Sequence, residues 1–272
     1  MPHPIGLSFL TVFDVDALEA IRIAAETGYN SVGLRLLPAA EGEGDYPLLA
    51  DDAMLREARA ILADTGVTVA DIEIVRLKPE TDIAMFEPML ARGAELGASN
   101  VLVAGDDPDH SRLTAGFSEL CALAAHFDLT CDLEFMPWTG VKTLVAARDI
   151  VLAAGAANGG VLIDTLHFDR SKSEVAEIAT IPHQHLHYLQ LCDGLANYDA
   201  SDAGLIQVAR NARLFPGEGE IDLASILKAV PDSLPLSVEV PKRAATLTVS
   251  ARDRARQGID MTRSLLASIG RN

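Results

Sequence analysis

Short apolar runs alternate with longer amphipathic segments from one end of this chain to the other. The short runs are rich in β-branched residues and are typical of strands, whereas in the longer segments apolar residues recur at intervals of three and four, as in helices. The last helical segment places Ala255, Ile259, Thr262, Leu266 and Ile269 on one face. The pattern predicts eight strands: Ile5 to Leu10, Ser31 to Leu36, Thr68 to Val75, Asn100 to Ala104, Thr130 to Phe135, Val161 to Asp164, Leu186 to Leu191 and Leu236 to Val240.

Glycine marks the ends of several predicted helices. Gly28, Gly66, Gly97 and Gly155 each follow a helical pattern and precede the next strand, which predicts left-handed helix C-caps. The segments after three of the strands are longer and more polar, at residues 38–47, 105–112 and 193–222. In a barrel of βα units this is the side that carries the active site.

The whole pattern predicts a single (β/α)₈ TIM barrel over residues 1–272. Eight βα units fit the usual length of such a barrel, and no linker or break in composition divides the chain. The alternative is an open, doubly wound sheet, but no G-x-G-x-x-G motif follows the first strand.

Composition narrows the classes of partner. The chain has 22 basic and 39 acidic residues and a formal net charge of −17, so we expect no nucleic acid and no membrane as partners. Three cysteines without a C-x-x-C spacing indicate neither a disulfide framework nor a thiolate zinc site. The first residues lack the pattern of a signal peptide, and the stretch 151–163 is too short to span a bilayer. We therefore expect a cytoplasmic protein.

Four successive predicted strands end in a side chain that carries oxygen: Glu134, Asp164, Gln190 and Glu239. Neighbouring strands lie about 4.8 Å apart, so inward side chains at one end of a barrel converge. Three converging carboxylates would repel one another unless a divalent cation lay between them. An all-oxygen set favours Mn²⁺ or Mg²⁺, with Co²⁺ and Zn²⁺ as further alternatives.

The alternation of side chains along a strand gives a check on this arrangement. Residues two positions before the four strand ends are expected to face the barrel interior, and one of them is Asp132. A buried carboxylate needs a partner or a proton. Asp132 therefore either belongs to a polar layer beneath the site or indicates a shifted register.

Two further residues are predicted to contact substrate. His167 comes three residues after Asp164, on the loop beyond it, where it is close enough to bond a substrate hydroxyl or protonate a leaving one; the alternative is a loop histidine bonded to backbone. Arg76 ends the third strand and is predicted to bind substrate, with an ion pair to Glu73 or Asp71 as the alternative.

The loops after the last two strands also carry cations. Arg213 is a predicted substrate-binding residue that precedes PGEGE at 216–220, a stretch that favours a turn over a phosphate cradle because its glutamates repel phosphate. Lys242 and Arg243 either supply an anion contact or flank the last helix. Trp138 either forms a wall of the pocket or packs against its loop.

Three alternating histidines, His183, His185 and His187, resemble a metal motif but are predicted to lie on a solvated face. His187 has the opposite parity to Gln190, so its ring is expected to point toward the helices.

Several segments resemble the conserved blocks of the xylose isomerase-like TIM barrels: LEFMPWT, VLIDTLHFDRS, YLQLCDG, LFPGEGEID and LSVEVPK. The resemblance implies a divalent metal held by Glu134, Asp164, Gln190 and Glu239, with the two glutamates also acting on substrate protons. It implies an isomerase or epimerase of sugars or inososes. Many epimerases of this superfamily have histidine where this chain has Gln190, whereas glutamine is familiar there from 3-dehydroshikimate dehydratases. The DNA-repair branch has a histidine-rich zinc cluster and an electropositive groove, which this chain lacks.

These reactions share one step, the removal of a weakly acidic C–H proton beside a carbonyl group, where a metal ion would stabilise the charge that develops on oxygen. If Glu134 and Glu239 lie on opposite faces of the substrate, one can deprotonate and the other reprotonate. We therefore expect a metal-dependent isomerase or epimerase of a small sugar, ketose or cyclic polyol. A dehydratase and a noncatalytic binding protein on the same barrel are the alternatives, and an exposed helix face is compatible with a homodimer.

Overall fold

Eight parallel strands form a closed barrel in chain order, with β1 beside β8, in a computed structural model that describes residues 3–40 and 42–271. The fold is a single (β/α)₈ TIM barrel, as predicted, and all eight predicted strands are present. The strands are β1 (Ile5–Leu7), β2 (Ser31–Arg35), β3 (Thr68–Leu77), β4 (Asn100–Gly105), β5 (Thr130–Glu134), β6 (Gly159–Asp164), β7 (Leu189–Leu191) and β8 (Leu236–Val238).

Helices cover the outside of this barrel. Gly28, Gly66, Gly97 and Gly155 adopt left-handed C-caps as predicted. The helices are α1 (Ala17–Thr27), α2 (Asp52–Thr65), α3 (Glu87–Leu96), α4 (His110–Ala125), α5 (Leu144–Ala154), α6 (Thr165–Arg170), α7 (Val175–Ile178), α8 (Asp202–Asn211), α9 (Leu223–Ala229) and α10 (Ala251–Ser268). Within residues 3–40 and 42–271, none of them is both long and apolar enough to cross a membrane.

Several predicted boundaries differ from the structure. The first strand ends at Leu7, and Phe9–Val12 forms a 3₁₀ helix instead of extending it. β7 begins at Leu189 and not at Leu186, because hydrogen-bonded pairing with its neighbours starts there. The polar segment 193–222 contains α8 and is therefore not only a loop. An apolar pattern predicts that an element exists but not where its pairing begins.

The core has two parts. The larger part lies between strands and helices, where α10 buries Ala255, Ile259, Thr262 and Leu266 as predicted. The smaller part fills the barrel itself and consists of Ile74, Leu102, Ala104, Met136, Leu162 and Tyr188. The rest of the interior is polar, which is the setting of the site described below.

Asp132 belongs to this polar interior, so the predicted polar layer is confirmed. It is fully buried, accepts a hydrogen bond from Thr130 Oγ1 at 2.9 Å and lies 2.7 Å from His187 Nδ1. Burial opposes protonation of His187, but the hydrogen bond and charge of Asp132 outweigh it and raise the pKa of this imidazole.

The predicted orientation of His187 toward the helices is therefore wrong. His187 precedes β7, so strand parity does not apply to it, and Gly160 leaves the space that its ring occupies: a Cβ there would collide with both Asp132 and the imidazole. His185 is also buried, with Nδ1 2.6 Å from the carbonyl oxygen of Gly159. Of the three histidines, His183 alone is exposed as predicted.

Candidate functional site

The carboxyl ends of β5 to β8 meet at a cavity of about 350 Å³ at the mouth of the barrel. Glu134 ends β5, Asp164 ends β6, Gln190 lies in β7 and Glu239 directly follows β8. Asp164 pairs with Gln190 across the sheet, and Gln190 pairs with Ser237. All four side chains are buried at this end of the barrel, where the sequence predicts them to be.

Arg213 joins two of the acids. Its guanidinium donates to Asp164 Oδ2 and lies 3.0 Å from Glu239 Oε2. Burial alone would lower the pKa of Arg213, but the negative charges of Asp164 and Glu239 outweigh this effect and raise the pKa well above its usual value. The sequence predicts Arg213 at the site but not this double ion pair, which depends on a long-range approach of two segments.

Glu239 is held by two hydrogen bonds and an ion pair. Ser8 Oγ and Gln190 Nε2 donate to its Oε1 at 2.9 and 2.8 Å, and Arg213 approaches its Oε2. Burial, helped by the charges of Asp164 and Glu73, raises the pKa of Glu239 to about 7 against the opposing effects of Arg213 and Ser8. Sequence reasoning missed Ser8, although alternation along β1 points it inward two residues after Gly6.

Glu134 has very different surroundings. Among the residues that the structure describes, no donor makes a hydrogen bond to its carboxylate, and His167 Nε2 lies 3.5 Å away. Burial, followed by the charges of Glu239 and Asp164, raises the pKa of Glu134 well above its usual range. Burial lowers the pKa of His167 to about 4, so the imidazole is neutral near pH 7 and this contact is not an ion pair.

Asp164 also positions His167. Its Oδ1 accepts from the backbone N–H groups of Leu166 and His167 at 2.8 and 3.0 Å and thereby caps α6. His167 therefore lies in the first turn of a helix and not on a loop. Although burial opposes ionisation, Arg213 holds the pKa of Asp164 below its usual value. Trp138 lines the cavity, with its ring edge-on to His167 at 5.0 Å between centroids.

The donor set fits a divalent cation. Ligand atoms of Glu134, Asp164 and His167 all lie within 4.8 Å of one another, and Gln190 Oε1 is buried without a hydrogen-bond partner. A buried carboxylate such as Glu134, without a donor, needs a cation or a proton. Oxygen ligands suit Mg²⁺ or Mn²⁺, and the imidazole of His167, which the sequence does not predict as a ligand, suits Zn²⁺. The predicted ligand set of Glu134, Asp164, Gln190 and Glu239 stays a prediction.

Arg76 lines the cavity, but neither of its predicted ion pairs forms. It contacts Asp106 at 2.6 Å and donates to the carbonyl oxygen of Ala39 at 2.7 Å. Glu73 instead forms an ion pair with Arg35 at 2.7 Å and makes none with Arg76. The substrate contact of Arg76 stays a prediction.

The stretch at 216–220 is a turn closed by Asp193. This buried carboxylate accepts from the backbone N–H groups of Gly194, Gly217, Gly219 and Ile221 at 2.8 to 3.1 Å. The turn is thus confirmed, and the Gly217 and Gly219 donors that a phosphate cradle would need are already used. Asp193 was missed by sequence reasoning, although an acid two residues after a barrel strand is a signal for a rim position.

Comparisons with known proteins agree with this architecture. The sequence is 30% identical over 214 residues to a 3-dehydroshikimate dehydratase of Pseudomonas aeruginosa, a match that covers 71% of this chain and 32% of that protein. The chain thus spans about a third of this relative's length.

Two solved structures share the fold at low identity. A structure of IolI protein with a bound zinc atom has a TM-score of 0.81 at 17% identity, over 98% of this chain and 99% of that one. A D-allulose 3-epimerase from Methylomonas sp. has a TM-score of 0.70 at 16% identity, over 97% of this chain and 98% of that one. Residues 21–265 match the family described as xylose isomerase-like TIM barrel, and the chain belongs to this family.

Proposed function

We propose that the chain is a divalent-metal-dependent lyase that removes water from a small hydroxylated ketone. The observation that carries this proposal is that the two glutamates differ in the hydrogen bonds and ion pairs that the protein makes to their carboxylates. Glu239 accepts hydrogen bonds from Ser8 and Gln190 and forms an ion pair with Arg213, whereas no described residue donates a hydrogen bond to Glu134 or forms an ion pair with it while His167 is neutral. A site in which only one of the two glutamates is without a hydrogen-bond donor from the protein fits elimination, where one carboxylate moves one proton, better than exchange of a proton between two faces. The P. aeruginosa relative, named 3-dehydroshikimate dehydratase, supports the same reaction class.

Elimination of water needs one group that moves one proton. In the proposed step, Glu134 takes the C–H proton beside the carbonyl, the electrons of that bond form a carbon–carbon double bond, and the C–O bond to the neighbouring hydroxyl breaks. The same proton then leaves with the hydroxyl as water, so Glu134 ends the step as a carboxylate. Glu134 lines the cavity and is therefore placed to contact substrate.

Other residues hold the reactants in place. Asp164, Gln190, Glu239 and one oxygen of Glu134 would hold the cation, which when bound would stabilise negative charge on the substrate's carbonyl oxygen and keep Glu134 ionised, with its second oxygen left to take the proton. His167 lines the same cavity and its buried Nδ1 has no partner, so the imidazole is available to bind and orient the leaving hydroxyl. Arg213 keeps Asp164 and Glu239 in fixed positions.

The test is a dehydration assay. Chelator-stripped protein is supplied with Mn²⁺ or Mg²⁺ and 3-dehydroshikimate, and the ultraviolet absorbance of the newly formed double bond is followed. We expect turnover that Glu134→Gln abolishes and that Glu80→Gln, at an exposed position outside the cavity, leaves intact. Glu134→Gln must retain the wild-type circular dichroism spectrum. No absorbance change with the wild-type protein would contradict the proposal.

A sugar isomerase or epimerase is the second candidate, because Glu134 and Glu239 both line the cavity. If the wild-type protein shows no dehydration but incorporates solvent deuterium into D-allulose or an inosose, with the epimer formed, this candidate replaces the lyase. Metal binding without exchange into any of these compounds would indicate a binding protein.

A further inference from the structure

Five arginines line the cavity, although the chain is strongly acidic, and three of them are already neutralised. Arg35 lies 2.7 Å from Glu73, Arg76 lies 2.6 Å from Asp106, and Arg213 bridges Asp164 and Glu239. The other two, Arg210 and Arg243, have no carboxylate within 4 Å among residues 3–40 and 42–271. Because acids outnumber bases 39 to 22 in this chain, two arginines without a carboxylate partner at the same cavity need an explanation.

The two unpaired arginines come from segments that lie side by side. Ala212 and Lys242 form an antiparallel β-bridge, which aligns the end of α8 with the segment that follows β8. Arg210 lies two residues before this bridge and Arg243 one residue after it, and both side chains line the cavity. The bridge therefore brings two positive charges to the same part of the rim.

The neighbours of Arg243 show that its charge is left available. Lys242, next to it in the chain, is neutralised by Glu218 at 2.6 Å. Arg243 instead stacks on the ring of Phe13, with its guanidinium carbon 4.3 Å from the ring centroid. An aromatic face orients a guanidinium without using its N–H donors, so these donors stay free to bind an anion.

We propose that Arg210 and Arg243 form a subsite for an anionic group, a carboxylate or a phosphate, on the substrate that reacts at Glu134. This inference rests on the proposed function only in taking the cavity as the substrate site. The planar guanidinium donates paired hydrogen bonds to either kind of oxyanion. The subsite lies on the rim, and Glu134 and His167 line the same cavity, so an anion bound at the rim would orient the rest of a polyhydroxy substrate toward them.

Binding, measured without turnover, tests this subsite. Three probes are titrated by calorimetry into Mg²⁺-loaded protein: quinate, a cyclic polyol with a carboxylate; glucose 6-phosphate; and myo-inositol, which is neutral. The variants are Arg210→Gln with Arg243→Gln, and the control is Arg59→Gln, an exposed arginine on α2.

We expect at least one anionic probe to bind the wild-type protein more tightly than myo-inositol. The double variant should weaken this binding about tenfold or more, since charge-assisted hydrogen bonds are lost, whereas Arg59→Gln should not. The probe that loses affinity identifies carboxylate or phosphate as the recognised group. Anionic probes that bind no better than myo-inositol, or equally well to the double variant, would overturn the subsite. Selective anion binding without dehydration would instead contradict the proposed function alone.

Discussion

Asp71 on β3 shows how one buried side chain connects stability to pH. It is fully buried, and neither carboxylate oxygen has a hydrogen-bond partner among the residues described. Burial, followed by the charges of Glu73, Glu239 and Asp132, raises its pKa well above the usual range against the attraction of Arg35. The folded protein therefore keeps a proton on Asp71 that the unfolded chain loses above about pH 4. Because the folded state then binds more protons, this group makes the free energy of unfolding fall as pH rises from there toward the raised pKa.

Asp71→Asn should therefore stabilise the metal-free protein, by an amount that grows between about pH 5 and about pH 8. We expect a gain of about 1–3 kcal/mol at the upper end, because the amide removes the need to hold a proton or bury a charge. Urea denaturation at a series of pH values measures it, with Asp64→Asn on the exposed face of α2 as the control. A difference from the wild-type protein that does not change with pH would contradict this explanation.

The sequence is enough to predict a site residue when the position of that residue at the end of its own strand decides where its side chain lies. Glu134, Asp164, Gln190 and Glu239 were predicted together because each lies at or beside the end of a predicted strand. The sequence is not enough where a role depends on a partner that is distant in sequence. The contacts of Glu239 come from Ser8, Gln190 and Arg213, and the separation of 231 residues between Ser8 and Glu239 shows why no local pattern reveals that hydrogen bond.

At the scale of elements, α6 depends on Asp164 for its start. One carboxylate oxygen caps the helix, and the other binds the buried Arg213. The same kind of cap occurs at α4, where Asp109 Oδ1 accepts from Ser111 and Arg112, but Asp109 is exposed and outside the cavity. Asp109 also lies 3.6 Å from Arg112, but both of these side chains are half exposed, so the two aspartates form a matched pair that separates capping from a buried ion pair.

Asp164→Asn retains the cap and removes the charge, whereas Asp164→Ala removes both. We expect the alanine variant to be less stable than the asparagine variant by about 0.5–2 kcal/mol, with a similar difference between Asp109→Ala and Asp109→Asn. Asp164→Asn itself should cost about 3–5 kcal/mol, since it leaves a buried arginine short of one partner, while Asp109→Asn should cost little. Urea denaturation of the four variants provides these values. Equal stabilities for Asp164→Asn and Asp164→Ala would show that the cap does not support α6.

At the scale of the molecule, the alternation of strands and helices was enough to predict the barrel, because each βα unit has its own local pattern. The side-chain contacts that join the two ends of the chain were not visible in that pattern. Arg254 on α10, 1% exposed, donates to the carbonyl oxygens of Thr11 and Val249 and to the carboxylate of Asp14, and so connects the last helix to the first loop. A charged residue in an amphipathic helix is ordinarily assigned to solvent, and only the assembled fold shows this one to be buried.

The net charge of −17 also acts on the molecule as a whole. Like charges repel more strongly in the compact state than in the unfolded chain, and salt screens this repulsion. Raising NaCl from about 0.01 M to about 0.1 M shortens the screening length from about 30 Å to about 10 Å. We therefore expect the Tm of the metal-free protein near pH 7 to rise by about 2–4 °C, equivalent to about 1 kcal/mol for a chain of this size. The control is the same salt step at the isoelectric point of about 4.7, where the net repulsion vanishes and the Tm should not rise. A fall in Tm near pH 7 would show that attractive surface pairs, such as Arg22 with Glu57, outweigh the repulsion.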